Sequence, residues 1–204
     1  MFFDIDQHQQ RRAKAAHELA MVNLLLLNLP IGIALLAGSM AQPDSSIAAF
    51  KWFAVAVPML LSLAVMSFIR VRAGRIQPWF VAAHWRLSAR RCRILLAAYL
   101  VSAAVLSLAL FDADHSRELE QRLAALPPAI QQMERHKLES QQIGTIVWAR
   151  ISVVPLLLSV MALVMLESGA LYQAGRGEMP DDMIQRFPPP DALPRSAEPV
   201  LHAD

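Results

Sequence analysis

The densest group of reactive side chains in the sequence is a run of arginines between two apolar stretches. Guanidinium groups bind phosphate through paired N–H donors, and basic segments beside a membrane attract anionic lipid headgroups. Positions 70 to 93 contain no acidic residue and seven arginines: Arg70, Arg72, Arg75, Arg86, Arg90, Arg91 and Arg93. The sequence therefore predicts that these side chains contact lipid phosphate, with anionic headgroups as partners.

Two further charges, Arg150 and Glu167, flank the last apolar stretch. The uncharged residues between them are about 24 Å long as a helix, so each charge can reach an opposite headgroup layer. This spacing favours interfacial positions for both residues. An ionisable group inside a span is also a candidate for a proton or ion pathway, and that second interpretation of Glu167 stays open.

The histidines and the single cysteine, Cys92, limit metal and redox chemistry. One cysteine excludes an internal disulfide, and no histidine lies in the middle of a predicted span, as a bis-histidine haem would need. A zinc site is an alternative interpretation of residues that solvated helices explain equally well: Asp112, Asp114, His115, Glu118, Glu134 and His136. We predict no metal, no cofactor and no enzymatic activity, because catalytic motifs are absent from the sequence.

Four apolar runs must position these groups, and they predict membrane spans. The runs Trp52 to Ile69 and Ile94 to Phe111 contain no charge, and each approaches the roughly 20 residues that cross a bilayer. The hydrophobic content of 55% and the mean hydropathy of +0.37 exceed the usual globular balance. The predicted fold is all-α: a polytopic membrane protein whose four-transmembrane-helix bundle carries an extracytoplasmic helical hairpin between spans three and four.

The arginine-rich loop also predicts orientation, because short basic loops stay in the cytoplasm during insertion. We predict a multi-pass protein of the bacterial inner membrane with the N and C termini cytoplasmic. A cleaved signal peptide ending at Ser39-Met40-Ala41 is an alternative for the first apolar run. The predicted segments are an amphipathic cytoplasmic helix (1–18), span one (19–41), span two (48–69), the basic cytoplasmic loop (70–93), span three (94–111), a periplasmic helical hairpin (112–142), span four (143–172) and a disordered Pro-rich cytoplasmic tail (173–204).

Polar residues and prolines inside the spans bear on function. Asn23 and Asn28 are suited to hydrogen bonds between packed helices. Prolines 30, 58 and 155 each remove a backbone hydrogen bond, and the resulting kinks serve either packing or a gate.

Three hypotheses for function follow from these features. The leading one is a non-enzymatic bundle that acts by protein–protein interaction in the membrane, as an accessory subunit or an immunity-type blocker, with another membrane protein or itself as partner. The alternative is a small transporter or pore that uses Glu167 and the proline-kinked helices. The third is a lipid-phosphate-binding enzyme with His84 as acid or base, which the lack of a neighbouring carboxylate in the loop disfavours. Nucleic-acid binding is not expected, because topology accounts for the arginines.

Overall fold

The computed structural model describes residues 1–38, 46–123, 147–148 and 150–197, which are predominantly helical. Its elements, in chain order, are strand β1 (Phe2–Phe3), helix α1 (Gln7–Val22), a π-helical segment (Asn23–Asn28), α2 (Leu29–Gly38), α3 (Ser46–Arg75), α4 (Trp79–Leu123), α5 (Val154–Gly175), α6 (Asp181–Arg186) and strand β2 (Arg195–Ser196).

Four helical stretches are long and apolar enough to cross a membrane, which confirms the prediction of a mainly helical chain with four candidate spans; their topology and the hairpin remain predictions. The stretches are Gln7–Ala37, Val55–Arg75, Trp79–Leu108 and Val154–Gly175. Large apolar side chains such as Leu26 and Met165 are 67% and 77% exposed on their outer faces. Such faces suit lipid, while the helices satisfy their own backbone polar groups.

α3 and α4 are longer than the predicted spans two and three, and together they include most of the predicted basic loop. α3 continues to Arg75 and α4 begins at Trp79, so only 76–78 separate them in the segment predicted as a loop from 70 to 93. Pro78 fits this boundary because it lacks an N–H and suits the start of a helix. α4 also continues past Phe111 to Leu123. The remainder of the predicted hairpin, 124–142, and the signal-peptide site at 39–41 lie outside the described residues.

The C-terminal segment up to 197 folds back onto the helix ends, whereas the sequence predicts disorder from 173 onward. β2 pairs antiparallel with β1, and the Met1 ammonium donates a hydrogen bond to the Met179 carbonyl at 3.1 Å. Met179 and Met183 are buried in a cluster that includes Phe3. The segment has too few apolar residues for a core of its own, but it completes one with residues from the rest of the chain.

The N-terminal helix begins at a capping residue. The Asp6 carboxylate accepts hydrogen bonds from the Gln9 backbone N–H at 2.7 Å and from Gln9 Nε2 at 2.9 Å. The backbone hydrogen bond from Gln9 is the main reason that the pKa of Asp6 is lowered, because it favours the charged carboxylate. This cap fixes the start of α1, the helix that carries His17 into the bundle.

Candidate functional site

Three ionisable side chains form a buried chain where α1, α4 and α5 meet. His17, His84 and Glu167 come from these helices in that order, and each is at most 1% exposed. His17 Nδ1 lies 2.5 Å from Glu167 Oε2, and His17 Nε2 lies 2.9 Å from His84 Nδ1. His17 therefore bridges a carboxylate and a second imidazole.

The three helices place these side chains inward for local reasons. The buried residues of α5 recur every three or four positions, so Glu167 shares one helical face with Leu163 and Ala170. On α1 the positions around His17 are small, and buried Ala16 and Ala20 permit close packing of the backbones. The result is a site where three backbones approach closely around polar groups.

Arg91 contacts Glu167 at the end of the hydrogen-bonded chain away from His84. Arg91 Nη1 lies 3.5 Å from Glu167 Oε1 and donates a hydrogen bond to the Leu166 carbonyl at 2.9 Å. An isolated carboxylate in a dry interior is strongly disfavoured, and contact with a guanidinium reduces that cost. Glu167 is thus held between a cation and an imidazole that can itself take up a proton.

The other end of the chain is the His84 imidazole. Among the described residues, His84 Nε2 has no hydrogen-bond partner although it is buried. Phe80 packs edge-on against the imidazole with 4.7 Å between ring centroids. His84 Nε2 is therefore the last atom of the chain, and it lies inside the protein.

The geometry allows protons to move along the chain by exchange of donors and acceptors. With neutral rings, His17 Nδ1–H donates to the carboxylate and His84 Nδ1–H donates to His17 Nε2. A proton added at His84 Nε2 releases the Nδ1 proton to His17, which in turn passes its Nδ1 proton to Glu167. The carboxylate ends protonated, and the positive charge does not stay on either ring.

A small cavity continues the polar region from Glu167 toward the middle of the bundle. It has a volume of about 10 Å³, and Glu167, Asn23 and Cys92 contribute to its lining. Within the described part of the chain, buried Asn23 Oδ1 has no hydrogen-bond partner. A volume of ~10–15 Å³ is about the least that holds one water molecule, so the cavity suits a water between Glu167 and Asn23.

A second polar cluster lies deeper, about 16 Å of helix beyond His17 at the standard rise per residue. Asn28 Nδ2 donates hydrogen bonds to the Asn23 carbonyl at 2.8 Å and to Ser62 Oγ of α3 at 3.0 Å. The Tyr99 hydroxyl of α4 donates to Asn28 Oδ1. Polar groups thus extend from His84 through Glu167 and Asn23 to Asn28.

The π-helical segment aligns the two asparagines. The Leu29 N–H bonds the Leu24 carbonyl five residues earlier, as in a π-helix. Residues five apart, such as Asn23 and Asn28, consequently lie nearly above one another, and both are buried. Pro30 follows this segment. Because proline lacks an N–H, it cannot donate the hydrogen bond to the carbonyl four residues earlier that a regular α-helix would have at this point.

The seven predicted lipid-phosphate arginines do not form one surface. Arg90, Arg91 and Arg93 line a groove beside α5, whereas Arg72 and Arg75 line a different cavity together with Arg12. Arg70 and Arg86 are exposed, and the Arg86 guanidinium lies 3.7 Å from the centre of the Phe187 ring. Their contacts with lipid remain a prediction.

The predicted charges of the last span have different surroundings. Arg150 is exposed, whereas Glu167 is buried among protein groups, and the interfacial depth that the sequence favours for both residues remains a prediction. The apolar face of α5 carries Glu167 inward, where His17 and Arg91 neutralise it. The sequence pattern does not identify His17 as a buried residue, because His17 lies in a segment predicted to be a cytoplasmic helix. The small residues around it favour close helix packing and are the local signal of its burial.

Among the described residues, no group of three His, Cys, Asp or Glu side chains is arranged to hold a metal ion. The alternative zinc set includes Glu134 and His136, which lie outside those residues. Comparison of the chain with protein-family models, with curated proteins and with solved structures finds no match.

Proposed function

We propose that the protein is a small proton-conducting or proton-coupled transporter of the membrane. The observation that carries this proposal is the buried, continuous hydrogen-bonded chain from Glu167 through His17 to His84. Ionisable groups within a bundle are costly, and well-packed apolar residues would stabilise it as well or better. Stability alone therefore does not account for three of them in contact.

The proton path in this proposal has two parts. His84 Nε2 exchanges protons at the end of the bundle where α4 begins, and His17 relays them to Glu167. From Glu167 the cavity beside Asn23 and the cluster around Asn28 supply polar groups toward the middle of the bundle. Movement of α1 and its π-helical segment relative to α5 would open or close this route, in keeping with alternating access around a buried site.

The buried ionisable groups favour the transporter hypothesis over a bundle that only binds a partner protein. A transporter also fits the expectation of a non-enzymatic protein, and partner binding remains a prediction. We also place the bundle in the bacterial inner membrane with both termini cytoplasmic, because arginines concentrate around the α3–α4 turn. His84 would then exchange protons on the cytoplasmic side.

The test is proton flux in proteoliposomes containing the full chain, an internal pH-sensitive dye and an imposed potassium diffusion potential. The wild-type protein should acidify the vesicles faster than empty liposomes do. Glu167→Gln should reduce the rate to that of empty liposomes, because an amide cannot accept the relayed proton. His17→Gln should have the same effect, because it interrupts the relay while retaining a polar group.

Matched controls come from the same N-terminal region. Glu18 and His8 are exposed, so Glu18→Gln and His8→Gln change the same residue types outside the buried chain and should leave the flux unchanged. Monodisperse elution in detergent must first show that each variant is folded. Wild-type flux no greater than that of empty vesicles, or full flux in Glu167→Gln, would refute the proposal.

A further inference from the structure

A groove of about 730 Å³ opens beside the buried chain, between α4, α5 and α6. α4 contributes Arg90, Arg91 and Arg93 to its lining, and α6 contributes Arg186. Arg186 is absent from the set of arginines that the sequence assigns to lipid phosphate. The fold thus brings a cation from the C-terminal segment to three cations that precede the apolar part of α4.

The electrostatic balance of the groove is strongly positive. Asp182 contributes a negative charge to the lining, and Arg90 Nη1 pairs with its Oδ2 at 2.7 Å. Arg91 is directed to the Leu166 carbonyl and to Glu167. Arg93 and Arg186 make no ion pair with any residue that the structure describes. Arg93 and Arg186 are exposed, and neither guanidinium has a hydrogen-bond partner within the described part of the chain, so both can donate to a ligand in the groove.

Apart from Gln173, the rest of the lining is apolar, and most of it belongs to the membrane-spanning stretches. Ile94, Met165 and Leu166 line the groove and are 48%, 77% and 46% exposed. All three lie within the stretches Trp79–Leu108 and Val154–Gly175. The groove therefore joins a cationic end to an apolar surface that faces lipid. This combination matches an amphiphile with a phosphate and an acyl chain, and a free inorganic anion would leave the apolar wall unused.

We infer that this groove binds the headgroup of one anionic phospholipid, with its phosphate between Arg93 and Arg186 and an acyl chain along Ile94 and Met165. Bidentate guanidinium contacts recognise the phosphate. The inference goes beyond the proposed transport function and does not depend on it.

The test is native mass spectrometry of the full-length protein in a neutral detergent, titrated with phosphatidylglycerol or with phosphatidylcholine of the same acyl chains. The wild-type protein should retain one phosphatidylglycerol molecule at concentrations where phosphatidylcholine is lost. The double variant Arg93→Gln/Arg186→Gln should weaken that binding by about tenfold or more, since each interfacial arginine contributes substantially to attraction of anionic lipid.

The matched control is Arg70→Gln/Arg75→Gln. It removes the same charge from two exposed arginines that do not line the groove, and it should retain binding within about twofold. Equal losses in both double variants would indicate diffuse attraction and overturn the inference. Displacement of the lipid by millimolar inorganic phosphate or glycerol phosphate would also overturn it, because the occupant would then be a soluble anion.

Discussion

His17 determines how the buried charges of this protein are connected. Without it, Arg91 would be the ion-pair partner left to Glu167 among the described residues, and His84 would be a buried imidazole next to Phe80. With it, the carboxylate and both rings form one hydrogen-bonded unit across three helices. The partners of His17 are 150 and 67 residues away in the chain. No local sequence motif could therefore predict that these three side chains form one hydrogen-bonded unit.

Among the described residues, Gly177 is the glycine with a positive φ. Its φ is +70°, and a Cβ there would lie 2.7 Å from the Phe3 carbonyl oxygen. Gly177→Ala should destabilise the fold by about 1–3 kcal/mol, through strain at positive φ and loss of the hydrogen bond between the Phe3 N–H and the Gly177 carbonyl. The measurement is the thermal unfolding midpoint in detergent.

Gly74→Ala provides the control for that substitution. Gly74 lies in α3, and a Cβ there would meet nothing within 4 Å. Alanine should leave the midpoint unchanged or raise it, since alanine favours a helix over glycine by about 0.5–1 kcal/mol. If both variants shift the midpoint equally and in the same direction, the conformational argument for Gly177 is wrong.

At the scale of elements, the C-terminal segment behaves as part of the folded protein. Met179 is fully buried in a cluster with Phe3 and Phe80. Met179→Asp should detach residues 176–197 while leaving the four long helices intact, because the cluster offers an aspartate no solvation. The measurement is limited trypsin digestion, in which cleavage after Arg186 and Arg195 should accelerate.

The control for detachment is Gln185→Asp, which introduces the same charge at an exposed position of α6. Its digestion rate should match that of the wild-type protein. Cleavage of Met179→Asp at the wild-type rate would mean that the apolar cluster does not hold the segment in place.

The π-helical segment is the element that pattern analysis is least able to anticipate. Its residues, Asn23–Asn28, are mostly leucines between two asparagines and would suit a regular helix. Pro30 predicts a kink. It does not indicate that the turn before it is π-helical and holds one more residue than an α-helical turn. Packing against α3 and α4 decides this, because Asn28 reaches Ser62 and Tyr99 only when it faces inward.

For the whole molecule, the pairing of β1 with β2 implies that the N-terminal residues and residues 195–196 lie on one side of the membrane. In a Cys92→Ser background, single cysteines at exposed His8 and Asp191 should both resist a membrane-impermeant maleimide in intact spheroplasts and react after permeabilisation. A cysteine at Glu118, in the predicted outside segment, should react in intact spheroplasts.

Opposite results at His8 and Asp191 would contradict the strand pairing. Reaction of both in intact spheroplasts would keep the two segments together but reverse the predicted orientation. The labelling thus tests the contact between the termini separately from the rule that basic segments stay inside.

The class of the protein and its four spans could be predicted from the sequence, because the length and apolar content of a run are local properties and bilayer thickness is constant. Arginine clustering and the two asparagines were also visible locally. Tertiary structure alone decided that Glu167 is buried against His17, that Arg186 joins Arg93 at one groove, and that the segment around Met179 and Met183 packs against Phe3. Each of these depends on groups far apart in the chain, whose meeting is determined by how helices pack and not by their individual sequences.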